Sequence, residues 1–138
     1  MEVNFYYEHL ILVPAVAFVI TIFFKWLFIK KRNGKFDWEW TLGSGWMPSV
    51  HSSVVVSLTA AIALKYWFSS DYFAICMAFT VIIIYDAVNV RFEAGQHAVG
   101  MNVLFWEKKF KESLWHLPSE AFAGSFLWIV VAIGLYYL

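Results

Sequence analysis

Residues 48–90 read PSVHSSVVVSLTAAIALKYWFSSDYFAICMAFTVIIIYDAVNV, in which a short polar link, SSD, separates two long apolar runs. Each run is about 20 residues long, which is the length that an α-helix needs to cross the hydrocarbon core of a bilayer. A helix also satisfies every backbone hydrogen bond of such a segment internally. The stretch therefore predicts a helical hairpin within a membrane.

Two further apolar segments lie outside this hairpin, one on each side of it along the chain. The composition agrees with a membrane protein, since 62% of the residues are hydrophobic and 14% are charged, against roughly half and a quarter in a soluble domain. The formal net charge is zero, so nucleic acid is not an expected partner. We predict an all-α polytopic membrane helix bundle, a single domain over residues 1–138, with spans at about 10–29, 48–68, 72–90 and 119–138.

The links between the predicted spans differ in charge. The two long links hold four basic residues each, whereas the link between the second and third spans holds only Lys65. The positive-inside rule places such basic links in the cytoplasm. We therefore expect an integral protein of a bacterial cytoplasmic membrane with both termini outside.

The second long link contains an amphipathic pattern over residues 103–115. Val103, Trp106, Phe110 and Leu114 share one helical face, with lysines away from it. This pattern predicts a helix that lies in the membrane interface. Small residues in the second and fourth spans would permit close helix contacts, including contacts across a homodimer. These residues are Ala60, Ala61, Ala123, Gly124 and Ser125. Membrane lipids are the other expected partners.

The predicted orientation brings ionisable residues from all four spans to the cytoplasmic face. Ionisable groups at that depth in a membrane protein indicate a functional site. Two histidines among several cations suit an anion, and phosphate is the obvious candidate. The cations would repel a metal ion and no tight ligand pair is present, so neither a metal nor a cofactor is expected. The residues concerned are Lys25, Arg32, His51, Arg91, His116 and Glu120.

Local patterns add detail to this site. Ser49 can present its hydroxyl at a helix N-terminus, where anions bind, and Glu120 follows His116 by four residues, so it can hold the imidazole in one tautomer. Helix capping, snorkelling cations and a surface pair are the alternative interpretations. Asp86 is a supporting candidate of lower rank, because a spacing of five residues does not place it on the helix face of Arg91.

Three separated motifs, MPSVHSS, YDAVNVR and HLPSEAFAG, resemble the divergent branch of the type 2 phosphatidic acid phosphatase superfamily. The resemblance extends over residues 25–124. The first motif of the superfamily itself is a lysine and an arginine at a fixed spacing, followed by proline. Lys25 and Arg32 keep this spacing, but Asn33 replaces the proline. Valine replaces glycine in the second motif, which ends at His51. The third motif has glutamate at Glu120 in place of aspartate, and its arginine corresponds to Arg91, far from His116 along the chain.

The resemblance implies covalent phosphoryl transfer through a histidine. His116 would be the nucleophile, Glu120 its orienting carboxylate, and His51 the proton donor to the leaving oxygen. The groups that hold the phosphoryl oxygens would be Lys25, Arg32, Ser49 and Arg91. A competing alignment uses the spacing from Arg91 to His97, but Met101 then stands where a carboxylate is required. His116 is therefore the preferred nucleophile, with His97 a supporting candidate.

The resemblance further implies a phosphoric monoester hydrolase that needs no metal. Its substrate would be a lipid phosphate such as phosphatidylglycerophosphate or phosphatidic acid. A non-catalytic membrane protein that binds anionic lipid or assembles a complex is one alternative. A lipid phosphotransferase or a polyprenyl pyrophosphate phosphatase is another, and would use the same phosphohistidine.

Overall fold

The computed structural model describes residues 5–33, 48–106, 109–110 and 118–138, and all regular structure in these ranges is helical. The predicted all-α membrane helix bundle is confirmed. The α-helices are α1 (Phe5–Glu8), α2 (Leu12–Asn33), α3 (Val50–Tyr66), α4 (Asp71–Tyr85), α5 (Arg91–Phe105) and α6 (Pro118–Tyr136), with a π-helical segment (Asp86–Val90) between α4 and α5.

Helix α3 is the centre of the bundle and packs against α2, α4 and α6. Its buried residues are mostly small or hydroxyl-bearing: Ser52, Ser53, Ser57, Thr59, Ala61 and Ala63, with Val56 and Ile62. Small side chains let helix backbones approach closely in a membrane protein. The 17 residues of α3 therefore make protein contacts on several sides rather than forming one apolar face.

The hairpin of α3 and α4 forms as predicted. Trp67 ends α3 with a positive φ of 73°, and the Ser70 hydroxyl caps α4 by accepting a hydrogen bond from the Phe73 N–H at 3.2 Å. The hydroxyls of Thr59 and Thr80 lie 2.7 Å apart and join the two helices. A short turn and a buried polar contact thus hold α3 and α4 as antiparallel neighbours.

The lengths of the helices refine the predicted spans. Three stretches of the described residues are long and apolar enough to cross a membrane: Leu12–Lys31, Asp71–Phe105 and Ser119–Tyr136. Helix α3 is shorter, near the lower limit of about 17 residues for a span. The stretch Asp71–Phe105 has 35 residues and is roughly 50 Å long, which exceeds a hydrocarbon core of about 30 Å. It does not end with the span predicted at 72–90, because the π-helical segment continues directly into α5.

The helix predicted over residues 103–115 is wrong at its N-terminal end. Residues 103–105 are the last turn of α5, and Trp106 follows in the left-handed conformation with φ 55°. The Asn102 side chain then donates to the Phe110 carbonyl and accepts from the Phe110 N–H, each at 2.8 Å. These contacts turn the chain where a continuous helix was expected. Residues 107–108 and 111–117 lie outside the described part of the chain.

Helix α1 closes the end of the bundle where α3 finishes. The buried Tyr7 hydroxyl donates to the Ala132 carbonyl of α6 at 2.8 Å. Lys65 donates through Nζ to the Tyr7 carbonyl at 2.6 Å. The opposite end, where α3 begins, contains Ser49 and His51, which are among the predicted site residues.

Candidate functional site

His51 lies in the first turn of α3 and is half-buried. Three charged side chains from other parts of the bundle are close enough to act on its imidazole: Lys25 of α2, Asp86 of the π-helical segment, and Arg91 at the start of α5. The tertiary structure therefore brings four of the predicted site residues together. Their combination of an imidazole with two cations is suited to binding an anion.

Lys25 is fully buried, with 0% of its surface exposed. It lies within the apolar α2, one turn after Thr21, which is also fully buried. Burying a charged group in a membrane segment costs free energy, so such residues usually face a bundle interior and serve a function. Lys25 therefore points to a role at the site rather than to snorkelling at the membrane surface.

Asp86 and Arg91 form an ion pair, in which Arg91 Nε donates to Asp86 Oδ2 at 2.8 Å. The low rank of Asp86 among the predicted site residues rested on α-helical geometry and is wrong in this respect. Residues Asp86–Val90 are π-helical, and the Arg91 N–H donates to the Asp86 carbonyl. This i→i+5 bonding brings residues five apart onto one face, and such segments occur frequently at functional sites. Asp86 therefore fixes the position of the Arg91 guanidinium.

The N-terminus of α3 is enclosed by α6. Ser49 is fully buried and caps α3, its hydroxyl accepting a hydrogen bond from the Ser52 N–H at 3.3 Å. A Cβ atom placed on Gly124 would lie 3.7 Å from the Ser49 backbone nitrogen. Glu120 precedes Gly124 by one helical turn, so it lies in the first turn of α6, near the N-terminus of α3. The positive end of the α3 dipole adds to the attraction of the site for an anion.

Gly124 provides a test of this helix contact. A Cβ there meets Ser49 and Ser52 at ordinary van der Waals distances, 3.7 Å or more, so we expect Gly124→Ala to be tolerated. Gly124→Leu should overpack the contact and lower the free energy of unfolding by about 1–3 kcal/mol. Thermal unfolding in detergent measures this. The matched control is Gly134→Leu, because a Cβ at Gly134 has no neighbour within 4 Å; equal losses at both glycines would contradict the contact.

The remaining predicted residues are less informative. His97 is exposed on α5, six residues beyond Arg91. His116 and the side chain of Arg32 lie outside the described residues, so their roles stay predictions. Within residues 5–33, 48–106, 109–110 and 118–138, no three His, Cys, Asp or Glu side chains are grouped so that they could hold a metal ion.

Sequence reasoning ranked one feature of the site too low and missed another. The first is the ion pair between Asp86 and Arg91, since nothing in DAVNV marks a π-helical turn. The second is the contact of Gly124 with the N-terminus of α3. A signal for this second feature was present, because Gly124 belongs to the small residues that permit close helix contacts.

These observations define the class of the protein. It is an integral membrane protein of the helix-bundle type, with imidazole, carboxylate and cationic side chains gathered at one end of the bundle.

The chain belongs to the Divergent PAP2 family, whose family model matches residues 6–131. It is similar to the protein named "Uncharacterized membrane protein YuiD" of Bacillus subtilis (strain 168), with 33% identity over 143 aligned residues that cover 89% of each chain. No solved structure matches the chain. The family that the three motifs resemble is thereby confirmed, and membership suggests a phosphatase-like role.

Proposed function

We propose that the protein is a membrane phosphatase that hydrolyses the phosphomonoester of a lipid through a phosphohistidine intermediate. The observation that carries the proposal is that the charges of Lys25, Asp86 and Arg91 act on the half-buried His51, while Arg91 is held by its ion pair with Asp86 at 2.8 Å. Phosphoryl transfer requires mainly positioning and charge stabilisation, which cations and a helix N-terminus can supply. Family membership supports the same class of reaction.

The proposed reaction has two steps. The His116 imidazole attacks phosphorus, and the bond from phosphorus to the lipid oxygen breaks while His51 protonates that oxygen. His51, now neutral, then takes a proton from water as the water attacks the phosphohistidine and releases inorganic phosphate. Glu120 accepts the second ring N–H of His116 and stabilises the positive form of the ring.

The phosphoryl oxygens would be held by the positive and hydrogen-bonding groups of four residues from three parts of the chain. Lys25 is already buried at this end of the bundle, and Asp86 fixes the Arg91 guanidinium by the bond at 2.8 Å. A guanidinium held in this way can donate to two phosphoryl oxygens at once. Arg32 and the Ser49 hydroxyl complete the proposed set.

The reaction itself is tested on purified protein with a panel of phosphatidic acid, phosphatidylglycerophosphate and a polyprenyl pyrophosphate. We expect release of inorganic phosphate from a lipid phosphomonoester, and inhibition by vanadate, which occupies a phosphate position. Transfer of the phosphoryl group to an added alcohol would instead identify a phosphotransferase. Binding of these lipids without phosphate release would identify a non-catalytic lipid-binding protein and reject the proposal.

The site is proposed to face the cytoplasm, because the basic residues lie in the two long links. Single cysteines introduced into the link 34–45 of a Cys76→Ser background should react with a membrane-impermeant maleimide only after the membrane is opened. Reaction in intact cells would place the site on the outer face and contradict this orientation.

A further inference from the structure

A cavity of about 730 Å³ lies between α3, α4 and α6. Its volume is within the range of roughly 300–1,000 Å³ that is usual for ligand sites. Its lining is almost wholly apolar and comes from all three helices, for example Val56, Met77, Ile84 and Ile129. We call this cavity the interhelical groove.

One end of the interhelical groove lies at the candidate site. Val88 and Asn89 line it, and both belong to the π-helical segment that separates Asp86 from Arg91. Ala121 and Phe122 line it from α6, directly after Glu120. A ligand that occupies the groove would therefore place this end beside the charged groups around His51.

The other end of the interhelical groove lies near the turn between α3 and α4. The rings of Phe68 and Phe73 line it and meet edge to face, with centroids 5.1 Å apart. From Phe73 to Asn89 the groove follows the helix for roughly 24 Å at about 1.5 Å per residue. Half of a hydrocarbon core measures about 15 Å, so the groove passes the midplane of the bilayer.

The interhelical groove is also open towards the side. Several lining residues are exposed, including Phe122 at 76% and Val81 at 59%. In a membrane this side faces the hydrocarbon of the lipids, from which a chain can enter without leaving the bilayer. A charged end, an apolar length and a lateral opening match a lipid with a phosphate headgroup.

We propose that the interhelical groove holds one hydrocarbon chain of a phosphorylated lipid, whose phosphate lies at His51 and whose chain end lies at Phe68 and Phe73. The inference rests on the proposed function for the identity of the headgroup site. A helix of a second copy could also cover an apolar groove, but it would bring no phosphate to the charged end.

The direct test uses a phosphatidic acid that carries a photoreactive diazirine at the end of one acyl chain, in proteoliposomes. We expect labelling concentrated on the part of α4 near Phe73. Even labelling of α4 and of the exposed face of α2 would show ordinary lipid contact and overturn the proposal. An intermolecular disulfide formed by Phe122→Cys in a Cys76→Ser background would assign the groove to a second copy and also overturn it.

A filling variant separates the groove from the chemistry. Ala60 lines the groove and is partly exposed, so Ala60→Phe should remove the concentrated labelling. It should also lower kcat/KM for phosphatidic acid by roughly tenfold or more, since a misplaced substrate can lose about 10²-fold. Hydrolysis of phenyl phosphate, which has no chain, should be unchanged. The matched control is Ala78→Phe, because Ala78 is exposed on α4 away from the groove.

An enlarging variant keeps the proposal testable if Ala60→Phe fails to fold. Phe73→Ala should extend the groove and shift the preference towards longer chains, whereas Phe79→Ala, exposed at 60% on the same helix and outside the groove, should not. Unchanged labelling and chain preference in both groove variants would overturn the inference and leave the phosphatase proposal intact. Concentrated labelling without any phosphate release would reject the phosphatase proposal and support the groove.

Discussion

Replacement of His51 by alanine is expected to lower phosphate release from phosphatidic acid by about 10²–10⁴-fold, the usual contribution of a general acid or base. The imidazole is half-buried in the first turn of α3, with the charges of Lys25, Asp86 and Arg91 close to it. Its loss removes the proton donor to the leaving oxygen and the base for water. The measurement is the initial rate of phosphate release from mixed micelles, with thermal unfolding to show that the variant is folded.

The histidine variants also discriminate between the two possible nucleophiles. His116→Ala should abolish phosphate release and prevent acid-labile labelling of the protein by a ³²P-labelled lipid phosphate. His97→Ala is the matched control, because His97 is exposed on α5 and surface substitutions usually change stability by less than about 0.5 kcal/mol. Full activity of His116→Ala together with an inactive His97→Ala would falsify the assignment in favour of His97.

Replacement of Arg91 by alanine should lower kcat by about 10²–10³-fold, as is typical when a group that stabilises developing charge is removed. Arg91→Lys should recover only part of the loss, because an ammonium ion cannot donate two hydrogen bonds in the fixed plane of a guanidinium. Single-turnover rates measured for both variants separate this effect on the chemical step from weaker lipid binding.

A variant of Asp86, the ion-pair partner of Arg91, tests the role of the guanidinium in a second way. Asp86→Asn removes the charge that pairs with Arg91 Nε at 2.8 Å and should cost less than Arg91→Ala, since the guanidinium remains. Lys30→Ala is the control for a general change of surface charge, because Lys30 is exposed on α2 and lies over the Trp26 ring. Equal losses for Lys30→Ala and Arg91→Ala would show that only the surface potential matters.

The helical parts of the fold could be predicted because hydrophobicity and length are local properties. The apolar segments become α2, α3 and α6 within a few residues of the expected bounds, whereas the helix that starts with α4 continues through the π-helical segment into α5. The helix expected over 103–115 could not be predicted in the same way. Its amphipathic pattern is real, but the left-handed Trp106 and the two bonds between Asn102 and Phe110 interrupt it.

The amino-acid sequence by itself determined the class of protein, the polar residues available for chemistry and the family, because composition and motif spacing are properties of the chain alone. Only the tertiary structure decided which of those residues meet. Asp86 and Arg91 pair because the helix is π-wound between them, and the start of α6 reaches Ser49 because the residue at this contact, Gly124, is small enough to fit it. The first contact depends on a local change of helical register, and the second depends on packing between distant segments. The spacing of residues in an ideal α-helix reveals neither of them.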